Sequence, residues 1–324
     1  MISVVDERFA FLAKWLNEQT PFSGSTLDIA SADASFRRYF RINSDGQNYI
    51  VMDAPPELED SRPFVQIGEW MKNSGLQVPE IFAKDLELGF MVLSDFGDFH
   101  FQDALDKDNF DGLYDLAIDQ IANMQQSLIQ SEENLPTFDV KWQWKELDIF
   151  REWCLPGMTE DSFREKASAL VKAVDDIPKA FMHRDFHCRN LLVKDDKTLG
   201  IIDFQGAMHG PLTYDLVSLL RDCYVDNDPN WIDQQALAFL DQSRANNLKF
   251  ANVTKDDFLC WFDLAGLQRH LKCVGIFHRL KIRDNKPEYL KDVPRVLGYV
   301  HHVLDRHPGL ENLRNLVNQA VILN

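Results

Sequence analysis

Between Phe181 and Gln205 the chain reads FMHRDFHCRNLLVKDDKTLGIIDFQ. It contains a carboxylate at Asp185, an amide five residues later at Asn190 and a second carboxylate at Asp203. One apolar run from Leu191 to Val193 and another ending at Asp203 flank a polar turn at Lys194–Lys197, and this reads as a hairpin that brings both acids to one end. Hard oxygen donors arranged this way can hold Mg²⁺ on a nucleotide's terminal phosphates while a carboxylate takes the proton of an attacking hydroxyl. The chemistry is phosphoryl transfer, with ATP and Mg²⁺ as the expected cofactors. Asp185 is the candidate base, and Asn190 and Asp203 are the candidate metal ligands. His183, His187 and Cys188 do not make a convincing zinc site, because zinc needs a fourth ligand and a strained loop. His187 and Arg189 adjoin the catalytic acid and are candidates to touch substrate, with a purely structural role equally open.

The composition is that of a soluble globular protein. With 34 basic and 51 acidic residues, the 324-residue chain carries a formal charge of −17 and no Lys/Arg run, which argues against nucleic acid as a partner. Handling ATP then requires local positive charge. The five cysteines are scattered and form no C-x-x-C pair, which suits a reducing, cytoplasmic setting. No apolar run is long enough to span a bilayer, and the acids near the N-terminus are unlike a secretory signal.

The elements that must position the site follow in order. Residues 4–18 have helical apolar spacing, with Ser3 and Asp6 as a capping pair. Thr26–Ala30, Phe36–Ile42 and Tyr49–Met52 read as strands, the last two joined by a turn at Asp45-Gly46. The small-residue loop 31–35 offers backbone N–H groups to phosphate near Ser31 and Ala34, and Arg37 and Arg38 add charge. Strand alternation separates Arg37 and Arg41 from Arg38, so not all three arginines can serve one ligand. The buried-looking strand running into Ser94 and Phe96 reads as a hinge whose backbone could meet adenine. Helical patterns occupy 101–130 and 160–176, and between them Trp142, Trp144 and Trp153 suit a core or a sugar platform. Thr213 can cap a helix in which Asp215 suits the dipole, and Arg221-Asp222 reads as a surface pair. Further on, Leu264, Leu267, Leu271 and Val274 form a core stripe, with Gln268, Arg269, His270 and Lys272 off it.

The spacing H-R-D-x-x-x-x-N resembles the protein-kinase catalytic loop, with D-F-Q where those enzymes carry D-F-G. HRDFHCRN, IIDFQGAMHGPLTYDLVSLLRD, DASFRRYFRI and GLQRHLKCVGIFHRL together resemble the aminoglycoside-phosphotransferase-like kinases, and especially those that phosphorylate amino sugars at the anomeric hydroxyl in peptidoglycan recycling. The resemblance runs from about residue 6 to 320. It implies an α+β, two-lobed protein-kinase-like fold with a small antiparallel-sheet lobe at residues 1–95. The larger, mostly helical lobe, 96–324, carries the hairpin of 181–205. It also implies ATP, Mg²⁺ and a small amino-sugar acceptor such as N-acetylmuramic acid or N-acetylglucosamine. The expected substrate-contacting residues are His187, Arg189, Gln205, Arg221 and Arg269, with Arg221 or Arg269 for a lactyl carboxylate. One departure stands out: the third strand, NYIVMDAPPE, has Met52 or Asp53 where a kinase carries lysine, and Arg37 or Arg38 is the candidate replacement. The residues leave open another hydroxyl acceptor (an aminoglycoside, homoserine or choline) and, from a different class, a nucleotide-binding scaffold without catalysis.

Overall fold

The computed structural model describes residues 6–31, 37–195 and 197–322, which form two compact units. The first contains helix α1 (Glu7–Gln19), strands β1 (Asp28–Ser31), β2 (Arg38–Ser44) and β3 (Gln47–Asp53), helix α2 (Arg62–Asn73), and strands β4 (Ile81–Asp85) and β5 (Phe90–Ser94). The strands form one antiparallel sheet ordered β1-β2-β3-β5-β4. Asp45 and Gly46, with φ of 53° and 81°, make the tight β2–β3 turn, whose left-handed residues match the twist of the paired strands. Asp6 itself caps α1, accepting from the Phe9 N–H at 3.0 Å, and Ser3 lies outside the described residues.

Alternation along the strands gives the sheet two different faces. Leu12, Trp15 and Leu16 of α1 pack on Phe40, Ile42, Val51, Phe90 and Val92. Arg38 and Asp53 are cross-strand partners on this same α1 face. Gly89 is required where β5 begins, because at its φ of 74° a Cβ would lie 1.9 Å from the Ala54 carbonyl oxygen.

The same unit includes Leu192–Gln205, most of the hairpin β7 (Leu191–Val193) and β8 (Leu199–Ile201). The Val193 N–H donates to the Phe99 carbonyl (2.8 Å), the Ile201 N–H donates to the Gln77 carbonyl (2.7 Å), and Phe204 stacks on Phe64 of α2 at 4.9 Å. These bonds group the hairpin with the sheet-bearing unit, which extends to Phe99, and not with the helical lobe of 96–324 that the resemblance implies.

The second unit, His100–Leu191 with residues from Gly206 onward, is mostly helical. Its helices are α3 (Phe101–Ala104), α4 (Phe110–Ser127), α5 (Val140–Cys154), α6 (Glu160–Asp175), α7 (Tyr214–Leu220), α8 (Pro229–Asn246), α9 (Lys255–Ile282), α10 (Val293–Arg306) and α11 (Glu311–Val317). Strands β6 (Lys179–Met182) and β9 (Met208–Pro211) pair antiparallel, so the loop after Met182 starts from a fixed strand. The helix read over 101–130 is broken after Ala104, where Asn109 Nδ2 donates to the Ala104 carbonyl and Asp106 accepts from the Asp108 and Asn109 N–H groups. The segment carrying Trp142, Trp144 and Trp153 is helix α5.

Helix α9 is the axis of this unit. A Cβ on Gly275 would lie 2.6 Å from the Phe150 nitrogen, so α5 and α9 cross with their backbones nearly touching. Neighbours cover the middle of α9 on every side, and Gln268, Arg269, His270 and Lys272, though off the leucine stripe, are as buried as it is. A buried polar group is costly unless it is bonded, so these four need partners inside.

Candidate active site

The loop from His183 to Asn190 hangs from two buried carboxylates. Asp215, at the start of α7, accepts from the His183 N–H (2.6 Å) and the Arg184 N–H (2.9 Å). Asp222 accepts from the Cys188 N–H (2.8 Å) and the Tyr224 N–H (2.8 Å). Within the loop, Asn190 Nδ2 donates to the Asp185 carbonyl at 2.9 Å, closing the five-residue span the motif predicts. Arg184 has a φ of 79°, a left-handed conformation that a non-glycine residue keeps only when its surroundings hold it. Here Glu146 of α5 takes the Arg184 Nε at 3.0 Å, and the guanidinium lies over Trp142 with 5.5 Å to the ring centre.

Glu146 is the hub of a buried polar cluster. Besides Arg184 it accepts from Gln268 Nε2 (3.1 Å) and has Lys272 Nζ at 3.4 Å. Lys272 Nζ also faces Asp185 Oδ1 at 3.9 Å and the Tyr214 hydroxyl at 3.5 Å. Asp185 keeps 34% of its side chain exposed, so it is both embedded and reachable. The surrounding protein pushes its carboxyl upward, but Lys272 and Arg184, with Arg269, outweigh this and hold it well below the usual carboxylate range. Asp185 is therefore an ionised hydrogen-bond acceptor at neutral pH. Burial pushes His187 down to about 4, which leaves it neutral, its ring edge-on to Tyr224 at 5.6 Å. Burial likewise raises Asp215 to about 7 against the two backbone N–H bonds it accepts.

The expected residues fall into groups. Arg269 is buried beside the cluster, where it lowers the Asp185 carboxyl and points Nη1 at the Cys223 sulfur (3.4 Å). Arg221 is not brought there: it is buried, lies over Phe262 and bridges Asp263 at 2.8 Å. Arg221 and Asp222, read as a surface pair, are both core residues with different partners, because α7 is buried on every side and leaves its C-terminal end inside. The Thr213 hydroxyl donates to the Trp261 carbonyl instead of capping α7. Among the described residues no cluster of three or more His, Cys, Asp or Glu side chains could hold a metal.

In the first unit, Asp203 is exposed, has a φ of 64° and accepts from Gln205 Nε2 at 2.6 Å. Gln205, expected at the substrate, thus steadies the carboxylate of Asp203. Arg38 is taken by two acids: Nε and Nη2 donate to Asp53 at 2.9 and 2.6 Å, and Nη1 pairs with Asp6. Arg8 reaches the same fully buried Asp53 at 2.7 Å, so Arg38 belongs to the α1 face as a structural residue. Arg37 pairs with Glu59 at 2.6 Å, and both it and Asp203 act on the half-buried Tyr39 hydroxyl. Arg41 is claimed by Asp95 and Asp98. The Ser94 N–H and hydroxyl bond to the Glu80 main chain at 2.9 Å each, which removes both from adenine recognition. Phe96 packs on Gly200, with Lys194 Nζ 5.3 Å from its ring centre. Ala34 and the side chain of Ser31 lie outside the described residues.

The residues missing from the sequence reading are Glu146, Lys272 as a member of the site, and Asp215 and Asp222 as loop anchors. The sequence did contain a signal for them: an acid in YDLVSLL and cations in GLQRHLKCVG sit in helices with no polar face to place them on.

The sequence pattern of the phosphotransferase enzyme family matches residues 26–248. The N-acetylmuramate/N-acetylglucosamine kinase of Pseudomonas putida is 35% identical, with 96% of this chain and 96% of that protein covered. Its counterpart in Pseudomonas aeruginosa is 36% identical with the same coverage of both. Among solved structures, choline kinase LicA from Streptococcus pneumoniae has a TM-score of 0.63 at 13% identity, covering 91% of this chain and 99% of that one. The amicoumacin kinase hAmiN in complex with AMP-PNP and Ca²⁺ has a TM-score of 0.62 at 15% identity, covering 93% and 94%. The two solved structures share the kinase-like fold. With the family pattern spanning most of the chain and the curated relatives matching it almost end to end, this chain belongs to the phosphotransferase enzyme family.

Proposed function

We propose that this protein transfers the terminal phosphoryl group of ATP to the anomeric hydroxyl of an N-acetylated amino sugar, N-acetylmuramate or N-acetylglucosamine. The observation that carries the reading is Asp185, a reachable carboxylate kept ionised by a buried cation cluster on a loop that ends in Asn190. The likeness to relatives named N-acetylmuramate/N-acetylglucosamine kinase supports the choice of acceptor. Asp185 accepts the acceptor's O–H, the oxygen attacks the γ-phosphorus, the bond to the β-phosphate oxygen breaks, and the proton passes to the carboxylate. Asn190 and Asp203 suit Mg²⁺ because each carries a hard oxygen donor, and the Asn190 amide nitrogen donates to the Asp185 carbonyl. When bound, Mg²⁺ neutralises charge on the phosphates. Gln205 orients the Asp203 carboxylate, and Arg37 with Glu59 stands in for the absent lysine and its acid partner.

A cationic acceptor such as choline fits this unit less well, because Lys272, Arg184 and Arg269 all surround Asp185. Measuring ADP release against a panel of amino sugars, choline and aminoglycosides tests the reading. Turnover is expected with the amino sugars alone, and Mg²⁺-dependent turnover confined to choline or an aminoglycoside would reject it.

A further inference from the structure

The two proposed acceptors differ in charge, since N-acetylmuramate carries a carboxylate and N-acetylglucosamine does not. A buried or paired cation cannot easily take that group, and most cations of the second unit are buried or paired. Arg184 is held by Glu146, Arg221 by Asp263, and Lys272 sits beside Glu146. Arg269 is only 2% exposed, behind the cluster.

Arg189 is different. Its guanidinium stacks 3.5 Å from the ring centre of Tyr224 and 5.5 Å from that of Tyr289. Among the described residues it makes no ion pair and donates no side-chain hydrogen bond, so the rings fix its plane while its N–H fork stays open. Arg189 and Tyr224 line a cavity of about 430 Å³ within this unit, a size that suits a monosaccharide. Exposed Lys291, also without an ion pair among the described residues, adds a second positive charge to the wall, and Asp103 and Asp226 offer acceptors for hydroxyls. Tyr224 joins this cavity to the catalytic loop: its N–H is bonded to Asp222, and its ring meets His187, two residues from Asp185.

We propose that Arg189 is a specificity-determining residue that receives the acidic substituent of the acceptor, in the cavity walled by Tyr224 and Lys291. The proposal rests on the amino-sugar kinase reading. A stacked, planar fork matches a carboxylate in two hydrogen bonds, which an ammonium cannot reproduce.

The test compares kcat/KM for N-acetylmuramate and N-acetylglucosamine in wild type, R189A and R189K, with melting curves to confirm that each variant is folded. In R189A the ratio of the two constants should fall roughly tenfold or more against N-acetylmuramate, mainly through its KM, as loss of a charge-assisted bond requires. R189K should restore only part of the ratio. An unchanged ratio, or an equal loss on both sugars, overturns the assignment. Wild-type protein that turns over neither sugar overturns the amino-sugar reading instead, and that result needs no variant.

Discussion

Asp185 illustrates how a residue's surroundings choose its role. The cations around it hold the carboxyl so far below its usual range that it stays charged, and such a carboxylate is a weak base toward a free hydroxyl. It suits a reaction with a loose transition state, in which the hydroxyl must be oriented early and its proton need leave only as the new P–O bond forms. Asp185→Asn keeps the shape and removes the proton acceptor. Its kcat should fall by about 10²–10⁴ in protein that melting curves show to be folded. An Asp185→Asn enzyme within a few-fold of wild type would show that the proton goes elsewhere. Lys272 belongs to the same arrangement, because its nearest oxygens lie at 3.4 to 3.9 Å, close enough to fix charge without closing the site.

At the scale of elements, the sheet divides labour between its faces. Asp53 occupies the position where a kinase's lysine was sought, but its strand turns it toward α1, where Arg8 and Arg38 converge on it. Asp53→Ala would take the shared acid from both guanidiniums, leaving Arg38 with Asp6 and Arg8 with the Leu88 carbonyl. With each partly exposed, the loss of stability should be about 2 kcal/mol in denaturant titration. Arg38→Ala should also act on stability and leave the KM for ATP unchanged, whereas Arg37→Ala should raise that KM. The opposite assignment of effects would contradict the two-face account. The sequence made much of this legible. The Asp45-Gly46 turn, the alternation separating Arg37 from Arg38, and the loop-hairpin spacing of Asp185, Asn190 and Asp203 all depend on near neighbours along the chain. Glu146, Asp215, Asp222 and Lys272 were not legible as site residues, because their partners lie 31 to 126 residues away. The hairpin's grouping with the sheet was hidden for the same reason, since it depends on Gln77 and Phe64.

At the scale of the whole molecule, an acidic chain concentrates Arg184, Arg269 and Lys272 around one carboxylate, and this carries a cost in acid. Burial pushes His270 down to about 3 and His187 to about 4, from 6.5, so the unfolded chain binds protons that the folded one refuses. Stability from these two groups is therefore lost as pH falls from 6.5 toward 3, at about 1.4 kcal/mol per unit for each group that stays neutral. Asp215 acts in the opposite sense, since its raised carboxyl makes stability fall as pH rises from 3.8 to about 7. His270→Gln should flatten the decline in melting temperature between pH 6.5 and 4 relative to wild type, and an unchanged slope would contradict the burial argument. The central claim concerns which bond is made. Phosphorus NMR of the product from ATP, Mg²⁺ and N-acetylmuramate or N-acetylglucosamine tests it most directly. The account predicts a sugar phosphate whose resonance couples to the anomeric proton and is absent with Asp185→Asn. A phosphate coupled to the C6 methylene protons, or formed equally well by Asp185→Asn, would contradict it.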